Sequence, residues 1–220
     1  MIDIIQLGAN IGKHECDLIW LQFEYLKREN ISALFVEPFE KSFIRLKEYY
    51  SQYQNCFFER CAIVNEQIAK ENEFVTLHYD SDCQHSNVRA TTKQRANRYR
   101  KNNSKIDVPC MSLKSLFDKY NLQGKRFELL QLDIEGVESE VLTDINWNIY
   151  LPEFIRVETI HMGSKREKLN NHLRMYDYVE MAPSDDPYYE VHKKWGNENH
   201  TIIESIKHNS IWRKTKWQTQ

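Results

Sequence analysis

The sequence predicts an α/β fold built on a mostly parallel β-sheet. Short apolar segments alternate along the chain with amphipathic segments of helical spacing, which is the pattern of successive βαβ units. Several apolar segments end in an acidic residue or a glycine-containing turn, and ligands of open parallel sheets bind at such strand ends. The length of 220 residues fits a single domain, 1–220, with one elaborated insertion.

Composition and charge exclude several classes of protein. With 41% hydrophobic and 28% charged residues, disorder along the whole chain is not expected. The 30 basic and 32 acidic residues give a formal net charge of −2, which argues against nucleic acid as the partner. No apolar run approaches the roughly 18 residues of a membrane helix, so no membrane span is predicted.

The N-terminal segment and the cysteines favour a cytoplasmic protein. The opening MIDIIQLGAN has no basic region and no small-residue cleavage site, so we expect no signal peptide. The five cysteines are odd in number and none has CxxC spacing, which favours reduced thiols over a disulfide framework or a zinc site.

The first half of the chain predicts strands and helices in alternation. The predicted strands are Asp3–Leu7, Ala33–Glu37, Cys56–Ile63 and a more exposed Glu73–Tyr79. The predicted helices are Lys13–Glu29 and Glu40–Tyr50, the second with Phe43, Ile44 and Leu46 facing inward.

A basic insertion, around residues 84–106, interrupts this pattern. Its most basic part, Lys93–Lys105, has six basic residues and no acidic residue, so it should lie at the surface. Long loops inside a compact domain are usually functional or disordered. We therefore expect either a solvated loop without a role, or a docking patch in which Arg95, Arg98 and Arg100 contact an acidic acceptor.

The pattern of strands and helices resumes after the insertion. The predicted strands are Asp107–Met111, Phe127–Asp133, Phe154–Glu158, Tyr178–Met181 and Thr201–Ile206. The predicted helices are Ser112–Tyr120, with Ser112 as its N-cap, Val137–Thr143 and Lys165–Met175.

The turn after the first strand, together with the acid after the second, predicts a nucleoside site. The sequence Gly8-Ala9-Asn10-Ile11-Gly12 allows a tight turn and close backbone approach to a ligand. Glu37 is placed to accept hydrogen bonds from ribose hydroxyls. The dinucleotide fingerprint GxGxxG is not met, so a nucleoside without phosphates is favoured. An ordinary turn and a surface glutamate are the alternative.

The end of the central strand carries three carboxylates, Asp133, Glu135 and Glu138, in the segment LLQLDIEGVESEVL. Carboxylates this close repel one another unless a cation or a proton relieves them. The sequence allows a divalent metal such as Mg²⁺, which is the less favoured explanation, or a general base at Asp133. Glu138 can alternatively serve only to start the following helix.

The next strand ends in the segment RVETIH, which contains Glu158 and His161. A histidine near a carboxylate is a candidate base at neutral pH, so we assign catalytic roles to His161, with Glu158 orienting it, and to Asp133 as the alternative base. A surface histidine without a role is the competing interpretation.

These segments together resemble the FkbM-type methyltransferases, which are class I enzymes that use S-adenosylmethionine. The family patterns "DVGANIG", "VEP", "lKIDVEGxE" and "vEtH" resemble IIQLGANIGKHE, ALFVEP, LLQLDIEGVESEVL and FIRVETIH here. The family segment before the central strand is similar to DVPCMSLKSLFDKY. The likeness runs in order from Ile2 to about Met181, and it departs at Gln6, where the family usually has an acid.

The resemblance implies a Rossmann-like sheet of seven strands with flanking helices and an antiparallel last strand. It implies S-adenosylmethionine as the cofactor, bound by the following residues: Gly8, Asn10, Gly12, Glu37, Cys61, Ala62 and Asp133. Family members mostly methylate oxygen on sugars, glycans and natural products.

We therefore expect an O-methyltransferase that acts on a hydroxyl of a sugar, a glycan or a related small molecule, with a nucleotide sugar among the candidate acceptors. Two alternatives stay open: a nucleoside-binding module without catalysis, and a nucleic-acid methyltransferase that uses the basic residues 93–105.

Overall fold

The structure, a computed structural model, describes residues 2–12, 18–24, 27–28, 30–79, 86–87, 104–160, 162–187 and 209–216. Its strands are β1 (Ile4–Leu7), β2 (Ala33–Val36), β3 (Cys56–Glu59), β4 (Ala62–Val64), β5 (Phe74–Tyr79), β6 (Ser86–Asn87), β7 (Ser104–Ser112), β8 (Arg126–Leu132), β9 (Leu151–Glu158), β10 (Tyr178–Glu180) and β11 (Asn209–Lys214). Its α-helices are α1 (Leu18–Glu24), α2 (Glu40–Tyr50), α3 (Glu66–Glu71), α4 (Leu113–Lys119), α5 (Glu138–Thr143) and α6 (Lys165–Met175). None of these helices is long and apolar enough to cross a membrane.

The main sheet has seven strands in the order β3-β2-β1-β8-β9-β11-β10. The strands from β3 to β9 pair in parallel, and β11 pairs antiparallel with both of its neighbours. This arrangement confirms the predicted Rossmann-like sheet with an antiparallel last strand. The strand order reverses at β1 and β8, so their carboxyl ends flank the crevice in which such sheets bind ligands.

Helices cover both faces of this sheet. On one face, strand residues such as Leu7 and Leu132 pack in a cluster with residues of α4, α5 and α6. On the other face, Ile4 and Phe35 pack in a second cluster with residues of α1 and α2. Because neighbouring residues of a strand point to opposite faces and both faces are covered, β2 is apolar throughout and β1 is apolar except at the buried Gln6.

A second sheet of four strands, in the order β4-β7-β5-β6, lies beside the main one. The prediction of one strand over Cys56–Ile63 is therefore wrong, because the chain leaves the main sheet after Glu59 and enters the second sheet at Ala62. The predicted strands Glu73–Tyr79 and Asp107–Met111 exist, but they pair with each other in this second sheet.

One further prediction is corrected by the structure, and two elements of the structure were not predicted. Ile44 is 49% exposed, and the buried residues of α2 are Ser42, Leu46 and Tyr50. The short helix α3, capped by the Asn65 side chain, was not predicted. The described last strand is Asn209–Lys214, inserted between β9 and β10, whereas the predicted strand Thr201–Ile206 lies outside the described residues.

Candidate functional site

The turn after β1 is shaped by Gly8. Its φ is +78°, and a Cβ built there would lie 1.8 Å from the backbone oxygen of Asp133. The amides of Gly8 and Ala9 both donate to the carbonyl of Val36, at 3.0 Å each. A side chain at position 8 would push β1 and β8 apart, so this glycine lets the two strand ends meet at the crevice.

The second half of the turn is pressed against α2. Asn10 and Gly12 both have positive φ values, of 50° and 65°. A Cβ on Gly12 would lie 2.4 Å from Leu46 Cδ1 and 2.6 Å from Tyr50 Cε2. The Tyr50 hydroxyl donates to the carbonyl of Gly12 at 2.9 Å, which fixes the point where the turn leaves the crevice.

Glu37, the residue after β2, ties this turn to the next loop. Its Oε2 accepts from the Asn10 amide at 2.8 Å, and its Oε1 accepts from the Phe39 amide at 2.9 Å. Burial raises the pKa of the Glu37 carboxyl to about 7, although the two amide hydrogen bonds oppose part of that rise. Each carboxylate oxygen has a second lone pair, so an ionised Glu37 can accept from ligand hydroxyls as well.

One pocket, of about 730 Å³ including space open to solvent, lies at these strand ends. Its described lining residues are Gly8, Asn10, Val36, Glu37, Pro38, Phe39, Cys61, Ala62, Ile63, Leu77, Asp133, Ile134 and Glu135. Every predicted cofactor residue except Gly12 is among them, so the structure brings these residues together, although their roles stay predictions.

The far side of the pocket is apolar. Cys61, Ala62 and Ile63 are buried at the start of β4, and burial raises the pKa of the Cys61 thiol to about 12, so it stays neutral. Leu77 of β5 also lines this side, which the sequence did not indicate. Its signal was the apolar alternation of EFVTLHY, but nothing in that pattern tells which sheet the strand joins.

The acidic segment after β8 forms a tight turn around Glu138. Glu138 Oε1 accepts from the amides of Ile134 and Gly136, at 2.9 and 3.0 Å. Its side chain is 1% exposed, and burial raises the pKa of Glu138 above its ordinary value. Glu138 therefore does more than start a helix, because it holds the turn that contains Glu135 and Gly136, both at positive φ.

The carboxylates that converge differ from the predicted set. Asp133, Glu138 and Glu158 each offer one oxygen, and these three atoms lie within 4.8 Å of one another. Glu135 is not in this group and lines the pocket. His161, Arg95, Arg98 and Arg100 lie outside the described residues, so their predicted roles are not tested.

Comparisons with known proteins give one family match. The methyltransferase FkbM domain family matches residues 6–184, a range that contains the ends of β1, β2, β8 and β9. No curated protein matches the sequence significantly. One solved structure, a candidate sarcosine dimethylglycine methyltransferase from Galdieria sulphuraria, matches with 10% identity and a TM-score of 0.38, over 96% of this chain and 77% of that chain. A likeness this low carries no argument about function.

Proposed function

Because the chain belongs to the FkbM methyltransferase family, we propose that it is an S-adenosylmethionine-dependent O-methyltransferase that acts on a hydroxyl of a sugar, a glycan or a related small molecule. The observation that carries the cofactor assignment is the position of Glu37, a buried carboxylate at the end of β2 that faces the pocket beside the Gly8 turn. Oxygen as the methyl acceptor is inferred from the resemblance of the sequence motifs.

The lining of the pocket suits a nucleoside that carries positive charge and no phosphate. Glu37 offers carboxylate oxygens to ribose hydroxyls, and the apolar side formed by Cys61, Ala62, Ile63 and Leu77 suits an adenine ring. The described lining residues include the acids Glu37, Asp133 and Glu135 and no basic side chain. This charge favours a sulfonium and disfavours a pyrophosphate.

The substitution at Gln6 does not favour an inactive module. The motif pattern of the family has an acid at the place of Gln6 and a lysine at the place of Gln131. The register of β1 and β8 sets Gln6 directly opposite Gln131. Both charges are therefore absent together, and neither strand is left with one unbalanced charge in the sheet.

The proposed chemistry needs alignment and the removal of a proton. S-adenosylmethionine supplies an electrophilic methyl group when bound. The chain has to hold the acceptor hydroxyl in line with that group and take its proton. Asp133 is exposed at the rim of the pocket and can do so, and His161, oriented by Glu158, is the base that the sequence favours.

We also propose an anionic acceptor and a cytoplasmic location. A nucleotide sugar or an anionic glycan would suit the basic residues Arg95, Arg98 and Arg100. A cytoplasmic location follows from the reduced thiols that the cysteine pattern predicts.

The test is a screen for transfer of label from S-adenosyl-[methyl-³H]methionine to nucleotide sugars and glycans. We expect label in at least one hydroxyl-bearing acceptor and release of S-adenosylhomocysteine. Tight binding of S-adenosylhomocysteine without transfer to any acceptor class would favour the binding module, and transfer to RNA or DNA would favour the nucleic-acid enzyme. Failure to bind either S-adenosyl compound would refute the proposal.

A further inference from the structure

Three carboxylates from different elements meet beside the pocket. Asp133 follows β8, Glu138 begins α5 and Glu158 ends β9, and one oxygen of each lies within 4.8 Å of the other two. We call this group the carboxylate triad. Like charges at this spacing repel each other, and a bound cation or a proton relieves that repulsion.

Glu138 gives an independent indication of a missing ligand. Its Oε1 is fixed by two backbone amides, so the side chain cannot turn away without losing both bonds. Its Oε2 is buried and has no hydrogen-bond partner within the part of the chain that the structure describes. Leaving a buried charged acceptor unsatisfied costs free energy, and a cation would remove that cost.

We propose that Asp133, Glu138 and Glu158 bind one hard divalent cation next to the nucleoside pocket. Carboxylate oxygens are the ligands that Mg²⁺, Mn²⁺ and Ca²⁺ prefer. Two opposite ligands of Mg²⁺ lie about 4.1 Å apart and those of Ca²⁺ about 4.6–5.2 Å apart. The oxygens of the triad are therefore no farther apart than two opposite ligands of Ca²⁺, and closer approach of the side chains would suit Mg²⁺ or Mn²⁺.

The position of the triad beside the pocket gives the cation a role in catalysis. This role rests on the proposed methyl transfer. Glu138 is buried and Asp133 is exposed, so the site is closed on the protein side and open at the pocket. An acceptor hydroxyl that binds the cation becomes more acidic. Because Asp133 then binds the cation, His161 takes the proton of the hydroxyl, the oxygen forms the bond to the methyl group, and the sulfonium leaves as a neutral thioether.

The experiment measures Mn²⁺ binding to the full chain, freed of metal with chelator and then dialysed, by electron paramagnetic resonance titration. We expect one Mn²⁺ per chain, displaced by excess Mg²⁺ or Ca²⁺. Glu138→Gln and Glu158→Gln should each weaken binding at least tenfold. Glu153→Gln is the matched control, since it removes a carboxylate of the same strand β9 that lies outside the triad, and its Mn²⁺ affinity should equal that of the wild type.

Glu138→Gln keeps an oxygen for both amides, and thermal unfolding will show whether each variant is folded. Glu158→Gln gives a second test if Glu138→Gln does not fold. Absence of saturable Mn²⁺ binding by the wild type would overturn the proposal, as would unchanged affinity in the folded triad variants. Methyl transfer that continues in excess chelator would refute the role of the cation and leave the methyltransferase proposal intact. Mn²⁺ binding without binding of S-adenosylhomocysteine would refute the methyltransferase proposal and leave the cation site intact.

Discussion

The substitution Glu37→Gln tests the nucleoside site with little change in shape. At pH 8 the wild-type carboxyl is mostly ionised, because its pKa is raised to about 7. It then accepts from the amides of Asn10 and Phe39 and still has lone pairs for two ribose hydroxyls. Glutamine keeps one oxygen and replaces the other with an NH₂ group, which cannot accept a hydrogen bond.

The expected loss follows from these contacts. One hydrogen bond to a charged group is worth about 1.5–3 kcal/mol. Losing one such bond to the ribose should raise the Kd for S-adenosylhomocysteine about tenfold to a hundredfold. Glu37→Ala should lose as much or more, because both backbone amides would then also lack their partner.

Isothermal titration calorimetry with S-adenosylhomocysteine at pH 8 measures this change. Glu59→Gln is the matched control, since Glu59 ends the neighbouring strand β3 but accepts from the Tyr120 hydroxyl at 2.7 Å, outside the pocket lining. Its Kd should stay within about twofold of the wild type. If Glu37→Gln is folded and binds as tightly as the wild type, Glu37 is not the ribose ligand.

Three further predictions follow from the turn, the buried acid and the insertion. Gly8→Ala should lower the free energy of unfolding by more than about 2 kcal/mol in denaturant titration, because its Cβ meets the Asp133 backbone at positive φ; unchanged stability would contradict this packing. The raised pKa of Glu37 means that its stabilising contribution is complete below pH 4.5 and is lost as the pH rises through about 7. Between pH 4.5 and about 7, the free energy of unfolding of Glu37→Gln should therefore rise by roughly 3 kcal/mol relative to that of the wild type. Parallel profiles of unfolding free energy against pH for the two proteins would contradict this. Replacing Arg95, Arg98 and Arg100 together by Ser should raise the acceptor KM and leave S-adenosylmethionine affinity intact, whereas an unchanged KM would make the insertion a solvated loop.

The sequence predicted those elements that have a local pattern of their own, such as a helix cap or a regular apolar spacing. The helix after Ser112 was predicted with its cap, and the Ser112 hydroxyl indeed accepts from the Ser115 amide at 3.1 Å. Leu113, Leu116 and Phe117 are buried as their spacing indicates. Gly8, Asn10 and Glu37 were expected to lie together because a parallel sheet places its strand ends on one edge, and all three line the pocket.

What the sequence could not predict depends on long-range pairing. The break between β3 and β4 falls at Arg60, with apolar residues on both sides of it, and the local sequence does not show that the pairing partner changes there. The strand β11 was missed because it contains Lys214, which is 4% exposed and donates to the carbonyls of Trp147 and Tyr176. A lysine in a strand normally indicates exposure, so no local pattern marks this one as buried.

The membership of the carboxylate triad also depends on long-range strand pairing. Sequence proximity grouped Glu135 with Asp133 and Glu138, but Glu135 takes a positive φ in the turn and lies outside the triad. Glu158, twenty-five positions after Asp133, joins the group because β8 and β9 are neighbouring parallel strands that end together. The register of the sheet, which composition does not reveal, decides which acids meet.

A crystal structure of the full chain with S-adenosylhomocysteine tests the central claim most directly. We expect ribose hydroxyls within hydrogen-bond distance of Glu37, adenine against Ala62 and Leu77, and the sulfur directed toward Asp133. A nucleoside bound elsewhere, or a ribose turned away from Glu37 within this pocket, would contradict it.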